Sequence, residues 1–261
     1  MLDTLRAELA PTGVLRAAIN LSNFLLVRGQ TPSGDPIGPS PDMARAVAER
    51  LGVPVQYICY PNPGALADDA TEKAWDIGNI GAEPERAKTI AFTAAYAEIE
   101  ATYLVPKDSP IQTIGDVDCK GMRIGVYGRS AYGLWLADNL AHAELVKADS
   151  VDASFDSFVE QGLDALAGLR PRLINDAEHL PGSRLLEGQF TAVQQAIGTS
   201  PKRTTSIAVI RPSGELDKAA TFVATAIARV DIPKVTAPLV CRARCQLFAV
   251  TKSSTLVSNL S

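Results

Sequence analysis

A chain of 261 residues with 46% hydrophobic content is long and apolar enough for one large domain or two lobes with cores of their own, which excludes a largely disordered protein. Charged residues make up 21%, with the two signs interspersed and a formal net charge of −4, so no basic footprint for nucleic acid or an anionic membrane is expected. No run approaches the roughly 18 consecutive apolar residues of a membrane span, and the expected partner of this soluble chain is a small molecule.

Residues 1–10 have the pattern of a short amphipathic helix containing acids, not a basic start followed by an apolar run and a cleavage site. The sequence as it stands is therefore expected in the cytoplasm, or in the periplasm or outside the cell if a leader has been removed. Residues 14–20 read as a first buried strand, followed by the polar turn at Ser22 and Asn23 and a loop rich in Gly and Pro over 28–41. Asp42 is expected to cap a helix in which Met43, Val47 and Leu51 repeat on one face, and Gly52 to stop it. A strand at 53–58 follows, and strand, helix and strand in this order predict a parallel βαβ unit.

The pattern repeats with a helix over 65–74 and a short buried strand over 75–81. Pro84 suits the first turn of a further helix, with Glu83 and Glu85 favourable at its positive end. Residues 98–105 read as a long extended segment. A second α/β unit begins with a strand at 122–127, the turn Gly128-Arg129-Ser130 and a helix over 131–141. Next come a strand around Val146, a helix over 154–161, a buried strand over 163–168 and an extended return over 191–198. Two extended crossings between two α/β halves imply a hinged protein with a cleft. The expected division is a first lobe over 1–104, a second over 105–199, and a return to the first lobe plus an irregular tail over 200–261. The hinge falls near 102–105 and 195–198, and a single continuous sheet would contradict this division. A helix is expected over 215–229, and no clear period after 231.

Cys59, Cys119, Cys241 and Cys245 are not arranged with His142 or His179 in the compact pairs of a zinc site, so ordinary reduced cysteines, no metal and no cofactor are expected.

The run Asp-Ile-Gly-Asn-Ile-Gly-Ala-Glu-Pro-Glu-Arg at 76–86, with Phe92 and Tyr96 beyond it, resembles the signature of the family 3 solute-binding proteins that serve polar amino acid transporters. The helix at 42–51, the segment 121–130 and Gly162-Leu163-Asp164-Ala165 stand in the order of that family, and the likeness covers about 13–211. It implies the type II periplasmic-binding-protein fold: two α/β lobes joined by a hinge of two crossings. By this resemblance Arg86 would hold a ligand carboxylate by charge-assisted bonds, and the amides after Gly128, with Arg129 and Ser130, would receive the same acid at the helix carrying Tyr132. As an isolated residue, Arg86 reads as a solvated helix arginine paired with Glu83 or Glu85, and Ser130 as a helix cap. Asn20, Asn23 and Phe24 would flank the ligand side chain, and Asn79 and Gly81 would face the other lobe.

The chain also departs from the family. Where the second-lobe strand would bring an aspartate to a ligand ammonium, Gly168, Leu169 and Arg170 stand instead, so an α-ammonium would lack its counter-charge. The resemblance implies a binding protein for a small carboxylate-bearing solute, with a membrane permease as its usual partner, or a soluble sensor or scavenger. The alternative is an enzyme similar to cyclohexadienyl dehydratase, for which Glu98 and Glu100 are the remaining candidate acids. The effector domain of a DNA-binding regulator shares the two-lobed fold but is not the expected reading, since it needs a helix-turn-helix ahead of the first strand and about a dozen residues stand there.

Overall fold

The structure, a computed structural model, describes residues 2–70 and 74–203. The helix expected over 215–229 and the tail after 231 lie outside the described residues.

Helix α1 (Leu2–Leu9) buries Leu5 and Leu9 and is tied to the body by Arg6, whose Nε donates to the Leu51 carbonyl at 2.9 Å. Strand β1 (Leu15–Asn20) follows, then a small ribbon of β2 (Gly29–Gln30) and β3 (Pro36–Ile37). Helix α2 (Pro39–Leu51) starts before the expected cap. Its first turn holds Pro39, whose missing N–H costs nothing there, and Asp42 pairs with Arg45 inside the helix. Gly52, at φ 68°, takes the left-handed conformation that ends it.

After β4 (Val55–Tyr60) comes α3 (Pro63–Asp68), shorter than the helix expected at 65–74 and started by the Asn62 side chain, which accepts from the Ala65 N–H. Strand β5 (Ile77–Ala82) leads to a single 3-10 turn, Arg86–Lys88, where a longer helix was expected. Then come β6 (Ala91–Phe92) and the long β7 (Ala97–Val105). The second half contains β8 (Arg123–Tyr127), α4 (Ala131–Asn139), β9 (Glu144–Ala148), α5 (Val151–Glu160) and β10 (Ala165–Leu169). It ends with α6 (Arg170–His179), β11 (Arg184–Leu185) and β12 (Thr191–Thr199). Helix α6 was not expected: its sequence is strongly polar, and the one signal is Pro171 in its first turn.

Strand order is β4-β1-β5-β12-β7-β10-β8-β9. Strand β1 is parallel to both β4 and β5, and β8 is parallel to both β9 and β10, as the βαβ reading requires. Both faces of these strands are covered. On β1, Ala17 and Ile19 pack in the cluster of Met43, Val47 and Leu51, while Ala18 joins Leu66, Trp75 and Ile80. On β10, Ala165 and Ala167 join Tyr103, Ile124 and Val126, while Leu166 joins Phe158, Leu163 and Leu173.

The central pairing corrects the expectation that the sheet is interrupted between the halves. The crossing strands lie side by side and antiparallel, from Thr191 opposite Ala101 to Gln195 opposite Ala97, while β12 also pairs with β5 and β7 with β10. Hydrogen bonding therefore runs unbroken from one half to the other, because each crossing strand satisfies the backbone groups of its neighbour. The mutual pairing uses 97–101, whereas Thr102 and Leu104 already face β10.

Asp76, fully buried before β5, fixes this frame. Its carboxylate accepts from Arg16 Nε at 3.0 Å, Arg16 Nη2 at 2.9 Å, the Arg16 backbone N–H at 2.9 Å and Arg203 Nη2 at 2.7 Å. Burial alone would push this carboxyl up, but the bonds from Arg16 and Arg203 outweigh it and hold the group below the usual carboxylate range.

Candidate functional site

A cleft of about 640 Å³, counted out to its mouth, opens at the carboxyl ends of the parallel strands of both halves. Asn20 ends β1, Gly81 lies near the end of β5, Tyr127 ends β8 and Leu169 ends β10; all four line the cleft, and Val193 and Gln195 of the crossing strand β12 complete it. In open α/β sheets this is where loops and helix starts converge. Pro63 of α3, Ala131 and Tyr132 of α4, Val151 of α5 and Arg172 of α6 all line the cleft from the first turns of their helices. The two ionised side chains of the lining are Arg86 and Arg172, and its described residues include no carboxylate.

Arg86 is 5% exposed. Its Nη1 donates to the Gly81 carbonyl at 2.9 Å and its Nη2 to the Arg129 carbonyl at 3.0 Å, while Nε lies 3.4 Å from Glu83 Oε1. Glu83 also accepts from the backbone N–H groups of Glu85 and Arg86. The pairing with Glu83 read from the sequence is thus present, but in a buried setting and not on a solvated helix. Burial lowers the pKa of the guanidinium from its ordinary value and Glu83 opposes this, so the group stays a cation at neutral pH.

Ser130 caps α4: its Oγ accepts from the Gly133 N–H at 2.9 Å and donates to the Tyr127 carbonyl at 2.7 Å. It lines the cleft at the same time, next to the first-turn N–H groups of Ala131 and Tyr132, which have no acceptor within the helix. Gly128 and Arg129 are outside the lining. The Gly128 N–H is bonded to the Ala148 carbonyl, and the Arg129 guanidinium leaves the second half to reach both oxygens of Asp68 on α3, at 2.6 and 2.7 Å.

Asn20, Asn23 and Phe24 all line the cleft. The Asn20 carboxamide oxygen accepts from the Ser22 N–H and hydroxyl, and the Asn23 backbone carbonyl accepts from the Leu26 and Val27 N–H groups, so turn chemistry and position at the cleft coincide here. Gly81 allows the close approach expected of it: a Cβ there would lie 2.8 Å from Val193 Cγ1 and 3.2 Å from Ala131 Cβ. Asn79 is turned away, buried and donating to the Ser40 carbonyl at 2.6 Å.

Leu169 lines the cleft at the end of β10. Arg170 does not: its Nε bonds Glu100 at 2.6 Å and its Nη2 the Gly188 carbonyl. The arginine of α6 that reaches the cleft is Arg172, held by Asp176 and Asp152 at 2.7 Å each. Burial pushes the Asp176 carboxyl up, although Arg172 opposes this. Tyr127, Tyr132 and Gln195 were likewise missed. Tyr127 and Gln195 were identified as strand residues, and their position at strand ends facing the cleft was the available signal. Burial raises the pKa of both phenols, Tyr132 to about 12, so each keeps its proton at neutral pH. Glu98 and Glu100 lie outside the lining. Cys59 and Cys119 are exposed and free, and among the described residues no cluster of side chains is arranged to hold a metal ion. No helix among them is long and apolar enough to cross a membrane.

Over residues 27–256 the chain matches the bacterial extracellular solute-binding proteins, family 3. It belongs to this family. The solved structures similar to this family 3 protein include holo ArgBP from T. maritima, with a TM-score of 0.63, 19% identity and coverage of 85% of this chain and 92% of that one. They also include the cysteine-binding protein from Campylobacter jejuni (0.62, 19%, 80% and 84%) and AncCDT-1, described as an ancestral amino acid-binding protein and a precursor of cyclohexadienyl dehydratase (0.61, 20%, 79% and 88%). At these identities the likeness establishes the type II periplasmic-binding-protein fold. A sequence search of curated proteins gives no match.

Proposed function

We propose that this family 3 protein binds a small solute through a carboxylate in the cleft, with Arg86 and the first-turn amides of α4 as the two sides of the receptor. The observation that carries this reading is the charge of the lining: Arg86 and Arg172 line it together with several helix starts, and none of its described residues is an aspartate or glutamate. A carboxylate is favoured in such a place, whereas a buried ammonium or guanidinium without a counter-charge is strongly disfavoured. The similar structures are described as binding arginine and cysteine. In this cleft Leu169 favours an acid whose remainder is apolar or neutral over an ordinary zwitterion.

The reading is of a binding protein, not an enzyme. A dehydratase needs an acid positioned on the leaving group, and neither Glu98 nor Glu100 lines the cleft. The family description supports a place outside the cytoplasm, and a protein that delivers its solute to a membrane permease, a sensor or a scavenger would all use the same cleft. Mass spectrometry of small molecules retained through purification, followed by calorimetry with the acids found, tests the proposal. Retention of a basic or zwitterionic amino acid that still binds tightly after removal of Arg86 would overturn it.

A further inference from the structure

The second arginine of the cleft keeps one nitrogen free. Arg172, in the first turn of α6, gives Nε to Asp176 and Nη1 to Asp152, each at 2.7 Å. Its Nη2 has no partner among the described residues, yet it is not one of the unpartnered side-chain atoms sealed from solvent, which belong to Asn23, Asn79, Tyr96 and Tyr127. The side chain is 24% exposed, so this nitrogen is open. Arg172 lines the cleft, and so does Val151, the neighbour of the Asp152 that takes Nη1, which brings the charged end of the side chain to the wall as well as its stem. The two arginines of the lining serve different parts of it. Burial raises the Tyr127 phenol while Arg129 and Arg86 oppose this, whereas burial of Tyr132 is opposed by Ser130 and Arg172.

Charge decides what Arg172 can receive. A guanidinium has donors only, so the group it meets must be an acceptor. Two carboxylates already share this cation, and a third anion at Nη2 would meet their repulsion, whereas a neutral oxygen gains a charge-assisted bond without it. We propose that Arg172 sets the specificity of the cleft by donating from Nη2 to an uncharged oxygen, such as an amide or keto carbonyl, at the end of the ligand remote from the Arg86 anchor. Asp152 and Asp176 have two tasks in this arrangement: they hold the guanidinium in place and cancel its appetite for a second acid. The inference rests on the carboxylate reading and deepens it, making the ligand an acid with a neutral acceptor at its far end.

The test is calorimetry on the full chain and its Arg172→Lys, Asp152→Asn and Arg86→Ala variants with two matched series: butyrate, succinamate and succinate, and pentanoate, glutaramate and glutarate. Pentanamide serves as the uncharged probe. A lysine keeps the charge that Asp176 needs but spends its one nitrogen on the aspartates, so Arg172→Lys should weaken the amide acids about threefold to tenfold and leave butyrate and pentanoate unchanged. Asp152 is 81% exposed, so Asp152→Asn should fold as the parent does; by removing one negative charge it should raise the affinity of each diacid relative to its amide about threefold to tenfold. Equal losses across a series in Arg172→Lys, a parent that prefers the diacids to the amides, or an unchanged ratio in Asp152→Asn would overturn the inference. Acids that depend on Arg86 but are indifferent to Arg172→Lys would sink it and leave the carboxylate reading standing. Pentanamide bound as tightly as glutaramate, weakened by Arg172→Lys and not by Arg86→Ala, would do the reverse, and failure of every probe to bind would overturn both.

Discussion

Arg86 donates from Nη2 to the carbonyl oxygen of Arg129, so the buried cation of the first half is bonded to the backbone of the loop that starts α4 in the second. Arg129 in turn sends its side chain back to Asp68 on α3. Arg86 and the opposite wall of the cleft are therefore tied to each other through the Arg129 backbone, and the Arg129 side chain adds a second tie to α3.

Hydrogen bonds to a charged group contribute about 1.5 to 3 kcal/mol each, so Arg86→Ala should weaken acid binding roughly tenfold to several hundredfold in calorimetry. The same change leaves Glu83, 9% exposed, without its cation, and should also lower the denaturant midpoint. Adding Glu83→Gln to Arg86→Ala should recover stability without recovering affinity. Recovery of both would show that Arg86 acts only through Glu83.

Leu169→Asp puts a carboxylate where β10 ends at the cleft. The variant should shift preference toward zwitterionic amino acids over their deaminated counterparts, measured as a ratio of affinities for matched pairs. An unchanged ratio would place the ammonium subsite elsewhere.

Much of this was legible in the sequence where burial sets the pattern. Strands β1, β8 and β10 are apolar on both faces because helices cover both, and Met43, Val47 and Leu51 mark α2 by their spacing. Arg86, Ser130, Gly81, Asn23, Phe24 and Leu169 were singled out through the order of motifs, and the structure brings all six to one cleft. Arg129, Arg170 and Asn79 were misjudged because adjacency in sequence does not say which way a side chain turns: acids at Asp68 and Glu100 draw the two arginines away, and Asn79 is held by Ser40. Arg172 escaped because α6 begins with no capping side chain and is polar nearly throughout.

Asp76 is expected to make stability depend on acid pH. Its folded pKa is depressed below the ordinary carboxylate value of about 4, so its contribution is present above that value and is lost as pH falls through the depressed one. Asp116 and Asp118, held by backbone N–H groups, act in the same direction. Asp76→Asn should cost about 3 kcal/mol at neutral pH, because it leaves Arg16 and Arg203 without their buried partner, and should flatten the acid limb of a urea-midpoint profile. A variant as acid-sensitive as the parent would contradict this.

The Arg129 to Asp68 pair is more than half exposed on both sides, so Asp68→Ala should change stability by less than about 1 kcal/mol. Its effect should appear in shape: X-ray scattering of the ligand-free variant should give a larger radius of gyration than the parent. An unchanged radius would show that this tie does not govern the cleft.

Because Ala101 faces Thr191 across the crossing ladder, the whole second half is one excursion of the chain that leaves and re-enters within a single strand spacing, about 5 Å. Its two ends are no farther apart than those of a hairpin. Exchange of that excursion with the equivalent stretch of another family 3 protein thus requires no linker at either junction, only two strands of matching register, and half of the cleft wall, from Tyr127 through Arg172, would be exchanged with it as one cassette.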